Sequence, residues 1–349
     1  MTTPASVQPT GTAPVPPTDT VVVAKRQSPV TAFFEKYTLI IITLVVIAFF
    51  AVFPGTSAQF LTVTSLNTVL TNMLCPLMVA LAAMFPFVAG YMDFSVGATA
   101  ALVCVLSARL MDVTVNGFGW PVWLAVLVPV VVSPVIGVVN GFFVTRMKMN
   151  PFVTTLGMSL LLYGISMLWT GGQRLSSPAG SFITYFNTTK LLGLPLSVYA
   201  VLVVALVVWY VLTHTPYGRS LYGMGSSTPS ARLVGIRVDR NLWWAFVIAS
   251  FLGSFAGILQ LIQVGSATAS DGGSLLFKGI TFIFLSATAI TPGFFNVWGA
   301  VIAGILLSVS VTGLTFMGYA GWTTNVFNGV ALIAAVALST YLGRKKRNG

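Results

Sequence analysis

Side chains able to take part in chemistry are scarce in this sequence of 349 residues. It contains one histidine, two cysteines and six acidic residues. The histidine, His214, follows a long apolar run, and Cys75 and Cys104 lie inside such runs with no partner at metal-ligand spacing. No HExxH, GxSxG, CxxC or phosphate-binding GxxxxGK[ST] pattern occurs. The sequence therefore predicts a protein that is not an enzyme and that holds no cofactor or metal of its own.

Asp93 is the most informative single residue, because it stands between two apolar runs. An acidic side chain near lipid is costly and is by default a functional-site hypothesis. Alternatively, Asp93 or Ser95 caps the helix that begins there. Asn72 and Asn140 lie within apolar runs, where they would line a passage for a hydroxylated solute or bond between helices. The sequence leaves both interpretations open, and we take these four residues as candidates for a substrate pathway.

The longest polar interruption of the second half of the chain is a loop at 212–242. It carries four arginines against one acid, Asp239. If Ser230–Val238 forms a short helix, Leu233 and Ile236 share one face of it and fit a groove on a partner protein. The alternative is a solvated loop whose arginines only fix its side of the membrane. The candidate docking residues are Arg219, Ser230, Arg232, Leu233, Gly235 and Ile236.

The elements that must position these residues are apolar runs. Hydrophobic residues make up 56% of the chain, charged residues 7%, and the mean hydropathy is +0.93, whereas about a quarter of residues are charged in soluble domains. A helix of about 20 apolar residues spans a bilayer. The runs lie near 37–53, 66–88, 94–111, 121–144, 151–170, 196–212, 243–262, 275–290, 297–316 and 325–342. We expect an all-α integral membrane protein of about ten transmembrane helices.

The ends of the chain differ from this polytopic domain, which we place at 35–343. Residues 1–34 are rich in proline and threonine and predict a disordered tail. Residues 344–349 form a short basic tail. An even number of spans puts both tails on the same side of the membrane.

The distribution of positive charge assigns that side. Only four of the 17 lysines and arginines fall on the other side of this topology, namely Arg109, Arg174, Lys190 and Lys278. Cytoplasmic loops of membrane proteins carry an excess of lysine and arginine. We therefore expect cytoplasmic termini and a cytoplasmic loop at 213–241, and we ascribe the net charge of +11 to this rule rather than to nucleic-acid binding.

Two short turns, at 89–93 and 291–296, leave room for re-entrant hairpins in place of full spans. The segments that follow them resemble each other: residues 94–107 read FSVGATAALVCVLS and residues 295–308 read FNVWGAVIAGILLS. The match is either chance or a structural repeat, a common way to build transporters, with the pathway at the repeat interface. Both segments run outward from the cytoplasmic side, which favours parallel repeats.

Three segments together resemble a known family. Residues 90–97 (GYMDFSVG) are similar to the GGIDLSVG signature of permease subunits from bacterial ABC importers of monosaccharides, the ribose permease family. Residues 140–157 resemble its NG…PxFIVTLG segment, and residues 215–238 its cytoplasmic TxxGR…YAxG…AARLSGIxV loop. The order and spacing match, and the resemblance covers nearly all of 35–343.

The resemblance implies an architecture and a set of partners. It implies a type II ABC permease fold, like that of the vitamin B-twelve importer, in the bacterial cytoplasmic membrane. It further implies a second permease subunit, identical or related, and a cytoplasmic ABC ATPase docked at 213–241 that binds ATP and magnesium. An extracytoplasmic binding protein would deliver the sugar or polyol.

The sequence is also compatible with two other functions. One is an ABC permease for branched-chain amino acids or a signalling furanose. The other is a secondary transporter or channel that works alone. Ion coupling usually uses intramembrane acids or histidines, and the chain offers little beyond Asp93, which counts against this alternative.

Overall fold

The computed structural model describes residues 29–114, 117–176, 185–186, 189–319 and 321–347, with the side chains of 29–35, 339 and 341–347 excepted. The chain in these residues is mainly helical. The helices are α1 (Pro29–Val52), α2 (Ser57–Phe60), α3 (Val63–Val88), α4 (Ser95–Met111), α5 (Val122–Val132), α6 (Pro134–Thr145), α7 (Pro151–Thr170), α8 (Leu196–His214), α9 (Pro216–Ser226), α10 (Thr228–Leu233), α11 (Val238–Val264), α12 (Asp271–Ser286), α13 (Val297–Phe316) and α14 (Gly321–Arg347).

Four two-residue strands complete the described structure. Strand β1 (Leu175–Ser176) pairs antiparallel with β4 (Ser266–Ala267), and β2 (Lys190–Leu191) pairs antiparallel with β3 (Leu194–Pro195). The turn of the second pair consists of Leu192 and Gly193, whose φ angles are 51° and 85°. Positive φ at both positions is the requirement of a type I′ hairpin turn.

The hydrophobic runs correspond to helices that suit a membrane. Among the described residues, seven helical segments are long and apolar enough to cross a bilayer: Val63–Val88, Val122–Thr145, Pro151–Thr170, Leu196–His214, Val238–Val264, Val297–Phe316 and Gly321–Leu338. Lys36–Val52 and Ser95–Met111 are shorter apolar helices. Helix α12 has 16 residues and carries Asp271 and Lys278. The all-α membrane class is confirmed, and the number of about ten spans stays a prediction.

The helix bounds also bear on the predicted tails. Helix α1 begins at Pro29, inside the predicted tail at 1–34, and residues 1–28 lie outside the described residues. Helix α14 continues to Arg347, into the predicted basic tail at 344–349.

Helix α3 lies at the centre of the molecule. Its residues from Met73 to Val88 are all buried, as expected of a helix that is apolar on every side. Helix α11 packs against α3, α4 and α6, and glycines allow the close approach. A Cβ at Gly257 would collide with the carbonyl oxygen of Ala100, and one at Gly137 with that of Phe246. Small residues at such crossings let helices pack closely in membranes.

The connections that the distribution of positive charge predicts to be cytoplasmic lie together at one end of the molecule. The Lys148 Nζ lies 2.7 Å from Asp239 Oδ2, and the Tyr222 hydroxyl donates to the carbonyl of Phe295 at 2.7 Å. The opposite end holds both strand pairs. We call the first end the arginine-rich end; it comprises residues 88–94, 146–150, 215–241 and 287–296.

The two short turns are both at the arginine-rich end. The segments that resemble each other in sequence both begin a helix there, α4 at Ser95 and α13 at Val297. Helix α4 has 17 residues and α12 has 16, so each rises about 25 Å, slightly less than the roughly 30 Å of a hydrocarbon core. The two turns thus join long helices to short ones.

Candidate functional site

Three of the four pathway candidates form one buried network at the arginine-rich end. The Asp93 Oδ1 accepts hydrogen bonds from the Ser95 backbone N–H at 2.8 Å and from its hydroxyl at 2.6 Å. The Asn140 Nδ2 donates to the Ser95 Oγ at 2.8 Å. All three side chains are fully buried. The network joins the turn before α4 to helix α6.

This geometry is that of a helix start tied to a neighbouring helix. The Asp93 carboxylate satisfies a free amide in the first turn of α4, as capping residues do. Its Oδ2 and the Asn140 Oδ1 have no hydrogen-bond partner among the described residues. A buried acid whose second oxygen is unpaired is costly to keep. The arrangement therefore suits a side chain that positions α4. A further hydrogen-bond donor at the unpaired Oδ2 would stabilise the carboxylate.

Asn72 is not part of this network. It is the tenth residue of α3, closer to the opposite end, and lines a cavity of about 150 Å³. Polar side chains contributed to this cavity come from α3, α12, α13 and α14; they are Asn72, Lys278, Ser308, Thr324 and Asn328. We call it the lysine cavity.

Lys278 is not among the site residues predicted from the sequence, but it lines this cavity. The charge distribution places Lys278 among the cations outside the membrane, although the residue lies within the apolar run at 275–290. A lysine inside such a run is itself a signal, because intramembrane cations are rare and usually functional.

A proline adds a backbone acceptor beside this cavity. Pro76 lies inside α3 and lines the cavity. Because proline has no N–H, the carbonyl of Asn72 four residues earlier lacks its helical donor. The preceding carbonyl, that of Thr71, accepts from the Gln263 Nε2 at 3.1 Å. The turn of α3 before Pro76 therefore has a backbone carbonyl that lacks its usual partner within the helix.

The predicted cytoplasmic loop at 213–241 is largely helical. Thr215 caps α9 by accepting from the Gly218 N–H at 3.2 Å, and Ser227 caps α10 by accepting from the Ser230 N–H at 3.3 Å. Both helices carry a proline in their first turn, where the missing N–H costs nothing. The sequence therefore fixes where each helix starts.

The predicted docking helix is shorter than expected, and one of its two apolar residues points elsewhere. Helix α10 ends at Leu233, not at Val238. Gly235, at φ 84°, reverses the chain, and the Ile236 N–H donates to the Ala231 carbonyl at 3.0 Å. This left-handed residue is a common way to end a helix.

As a result, Ile236 is half-buried and packs against the hydrophobic core instead of sharing an outward face with Leu233. The exposed apolar pair is Leu233 and Val234, which are 89% and 76% exposed. These two residues, together with the exposed Arg232, Arg237 and Arg240, form what we call the docking surface.

Two cavities flank the docking surface. Their volumes are about 530 and 980 Å³. Arg237 and Arg240 line both cavities, and Arg146, Arg232 and the Trp243 ring line the larger one. Among the other predicted docking residues, Arg219 donates instead to the carbonyl of His214 at 3.2 Å, and the Ser230 and Ser227 hydroxyls lie 2.8 Å apart.

The docking surface is firmly attached to the helices beneath it. Leu221 and Met224 of α9 are fully buried. The Tyr217 hydroxyl donates to the carbonyl of Asn241 at 3.1 Å, and Tyr222 reaches Phe295 as described. Burial raises the pKa of Tyr217, and raises that of Tyr222 to about 12, so both phenols keep the protons they donate.

One contact connects the docking surface to the Asp93 network. Gly225 of α9 lies against the carbonyl of Val88 so closely that a Cβ there would collide with it. Val88 is the last residue of α3, five residues before Asp93. A displacement of α9 therefore acts directly on the end of α3.

Comparison with known proteins shows relatives along most of the chain. The chain is 25% identical to the ribose import permease protein of Haemophilus influenzae over 291 residues, covering 82% of this chain and 88% of the relative. It is 26% identical to the D-allose transport system permease protein of Escherichia coli (89% and 94% covered). It is 27% identical to the fructose import permease protein of Rhizobium meliloti (87% and 84% covered).

No solved structure matches the chain significantly. The family model described as the permease component of the branched-chain amino acid transport system matches residues 65–336, which include the Asp93 network, the lysine cavity and the docking surface. The chain therefore belongs to this family of membrane permeases.

Proposed function

We propose that the chain is the membrane subunit of an ATP-driven importer for a monosaccharide or a related polyol. The relatives named above import ribose, allose and fructose, according to their names. The observation that carries the proposal is the docking surface: two exposed apolar side chains stand among arginines at the end of a short helix, next to a helix that is anchored in the core. This is the arrangement that a groove on a second protein recognises.

The energy source in this proposal is a separate ATPase. The sequence has no phosphate-binding loop, so ATP and Mg²⁺ bind to the partner. Leu233 and Val234 enter an apolar groove on that partner, and the arginines of the two flanking cavities face its acidic side chains. ATP binding then moves α9 and α10, and the contact between Gly225 and Val88 transmits the motion to α3.

The arginine-rich end is cytoplasmic in this proposal, by the positive-inside rule. About ten helices cross a bacterial cytoplasmic membrane in a type II arrangement with both termini inside. A second permease subunit, identical or related, completes the pathway. The opposite end, with the two strand pairs, receives an extracytoplasmic binding protein.

The solute path includes Asn72. This side chain is exposed in the isolated chain, although it lies ten residues into an apolar helix of 26. An amide facing lipid would lose its hydrogen bonds at a cost of about 1–3 kcal/mol or more, so we place Asn72 against a polar passage. The Asp93 network lies at the cytoplasmic end of the same helix. Alternating access requires two conformations. The unpaired Asp93 Oδ2 and Asn140 Oδ1 are free to accept different hydrogen bonds in the second one.

The test is uptake of radiolabelled monosaccharides into proteoliposomes. The chain is reconstituted with an ABC ATPase and a sugar-binding protein from the same genome, with ATP inside and sugar outside. We expect uptake that requires ATP, Mg²⁺ and both partners, and that survives ionophores. Uptake by the chain alone, driven by a proton or sodium gradient, would instead show a secondary transporter and would refute the proposal.

A further inference from the structure

Lys278 is a cation held inside the helical bundle. It is the eighth of the 16 residues of α12, and its side chain is partly buried beside the lysine cavity. Lys278 lies within the apolar run at 275–290 that is predicted to cross the membrane, and a charged side chain at the centre of a membrane helix costs about 2.5–3.5 kcal/mol on insertion scales. Intramembrane charges of this kind usually pair with an opposite charge or with polar groups.

The acidic side chains that the structure describes do not supply that compensation. No ion pair among the described residues includes Lys278. Of the four acidic side chains described, Asp93 is bound by Ser95, Asp112 by Arg109 and Thr114, and Asp239 by Lys148 and Arg232. The fourth, Asp271, precedes Lys278 by seven residues, which is about 10 Å along the helix.

The cavity offers a partly open recess with polar groups on its walls. An engineered cavity of about 150 Å³ in another protein holds a benzene ring, so the similar volume here takes the ring of a sugar, with part of its substituents at the open side. The Asn72 and Asn328 amides and the Ser308 hydroxyl offer donors and acceptors to ring hydroxyls. The Phe282 ring lines one wall.

We propose that the lysine cavity binds a monosaccharide that carries a carboxylate, with the carboxylate on the Lys278 ammonium and the hydroxyls on Asn72, Ser308 and Asn328. The solute then supplies the counter-charge that the described side chains lack. This inference rests on the proposed function and adds the charge of the cargo to it: an acidic sugar is bound in preference to the neutral sugar of the same ring configuration.

The first test is equilibrium binding to the full chain in lipid nanodiscs. The probes are two matched pairs, D-glucuronate with D-glucose and D-galacturonate with D-galactose. We expect at least one acid to bind about tenfold or more tightly than its neutral partner, the factor expected of one charge-assisted hydrogen bond. Equal affinity within both pairs, or no binding of either acid, would overturn the inference.

Variants of Lys278 attribute the preference to this side chain. Lys278→Met keeps the length of the side chain without its charge, and we expect it to abolish the preference for the acid. Lys278→Arg keeps the charge and retains most of the preference, which controls for misfolding. Lys190→Met, a change at an exposed lysine of the β2–β3 hairpin, serves as the control and leaves binding unchanged. An unaltered preference in Lys278→Met would overturn the inference.

ATP-driven uptake separates this inference from the function on which it rests. If neutral sugars alone are imported, and Lys278→Met imports them normally, the importer function stands and the inference is wrong. If no monosaccharide, acidic or neutral, is imported with ATP and both partners present, the proposed function itself fails.

Discussion

Replacing Leu233 by Asp tests the docking surface with little disturbance of the fold. The side chain is 89% exposed at the end of α10, so the isolated chain gains or loses no buried contact. Surface substitutions of this kind change stability by about 0.5 kcal/mol or less. We therefore expect Leu233→Asp to insert in the membrane, to elute as a single species and to unfold at the temperature of the unchanged protein.

The effect on the complex is much larger. Full burial of a leucine side chain in a groove stabilises by about 1.5–3 kcal/mol, and its loss lowers affinity for the ATPase by roughly 10- to 150-fold. Burying the new carboxylate in the same groove adds a desolvation cost. Attraction to Arg232 or Arg237 returns at most about 1 kcal/mol, because exposed ion pairs are weak. We expect binding to become undetectable at micromolar concentrations.

The assay is titration of the labelled ATPase into the permease in nanodiscs, together with ATP-driven uptake. Leu192→Asp is the matched control: the same change at a leucine that is 91% exposed, in a hairpin at the opposite end. It leaves ATPase affinity unchanged. If Leu233→Asp binds the ATPase and supports uptake as the unchanged protein does, the docking surface has been placed wrongly.

Three further substitutions test the packing, a turn and a surface ion pair, each measured as the thermal unfolding midpoint in detergent. Gly257→Val drives a side chain into the Ala100 carbonyl, and we expect a loss of about 1–3 kcal/mol, whereas Gly164→Val, with open space around it, is tolerated. Asn296→Ala removes the cap of α13 at the Gly299 N–H and the bonds to three carbonyls, costing about 2 kcal/mol. Asp239→Asn removes two half-exposed ion pairs and costs less than about 1 kcal/mol, an effect that disappears at high salt.

Each of these predictions has a contrary outcome. Equal midpoints for the two glycine variants would show that α4 and α11 are not closely packed. An unchanged midpoint for Asn296→Ala would show that its bonds do not hold the turn. A loss above about 2 kcal/mol for Asp239→Asn would mean that the Lys148 contact is not at a solvated surface.

The positions of the membrane helices were predictable from the sequence because lipid dictates them. The runs at 151–170 and 297–316 coincide with α7 and α13. A helix in lipid must satisfy its own backbone and remain apolar over a fixed length, so composition and length alone determine such a segment. The predicted spans elsewhere end within a few residues of the helices, with α1 and α14 extending further.

Side-chain partners were less predictable. The sequence singled out Asp93, Ser95 and Asn140, but the bond between Ser95 and Asn140 joins residues 45 positions apart, and one sequence contains no sign of it. The error at Ile236 has a local cause. Three-residue spacing implies a common face only while the helix continues, and Gly235 ends it. The sequence shows Gly235 plainly, but predicts it as a docking residue and not as the end of the helix.

The most direct test of the central claim is site-specific photo-crosslinking in the assembled complex. A p-benzoylphenylalanine is placed at Leu233 or at Leu192, two exposed leucines at opposite ends of the molecule. We expect position 233 to crosslink to the ATPase in membranes, and position 192 to give no ATPase product but to crosslink to the extracytoplasmic binding protein. An ATPase product at 192 and none at 233 would contradict both the orientation and the docking surface.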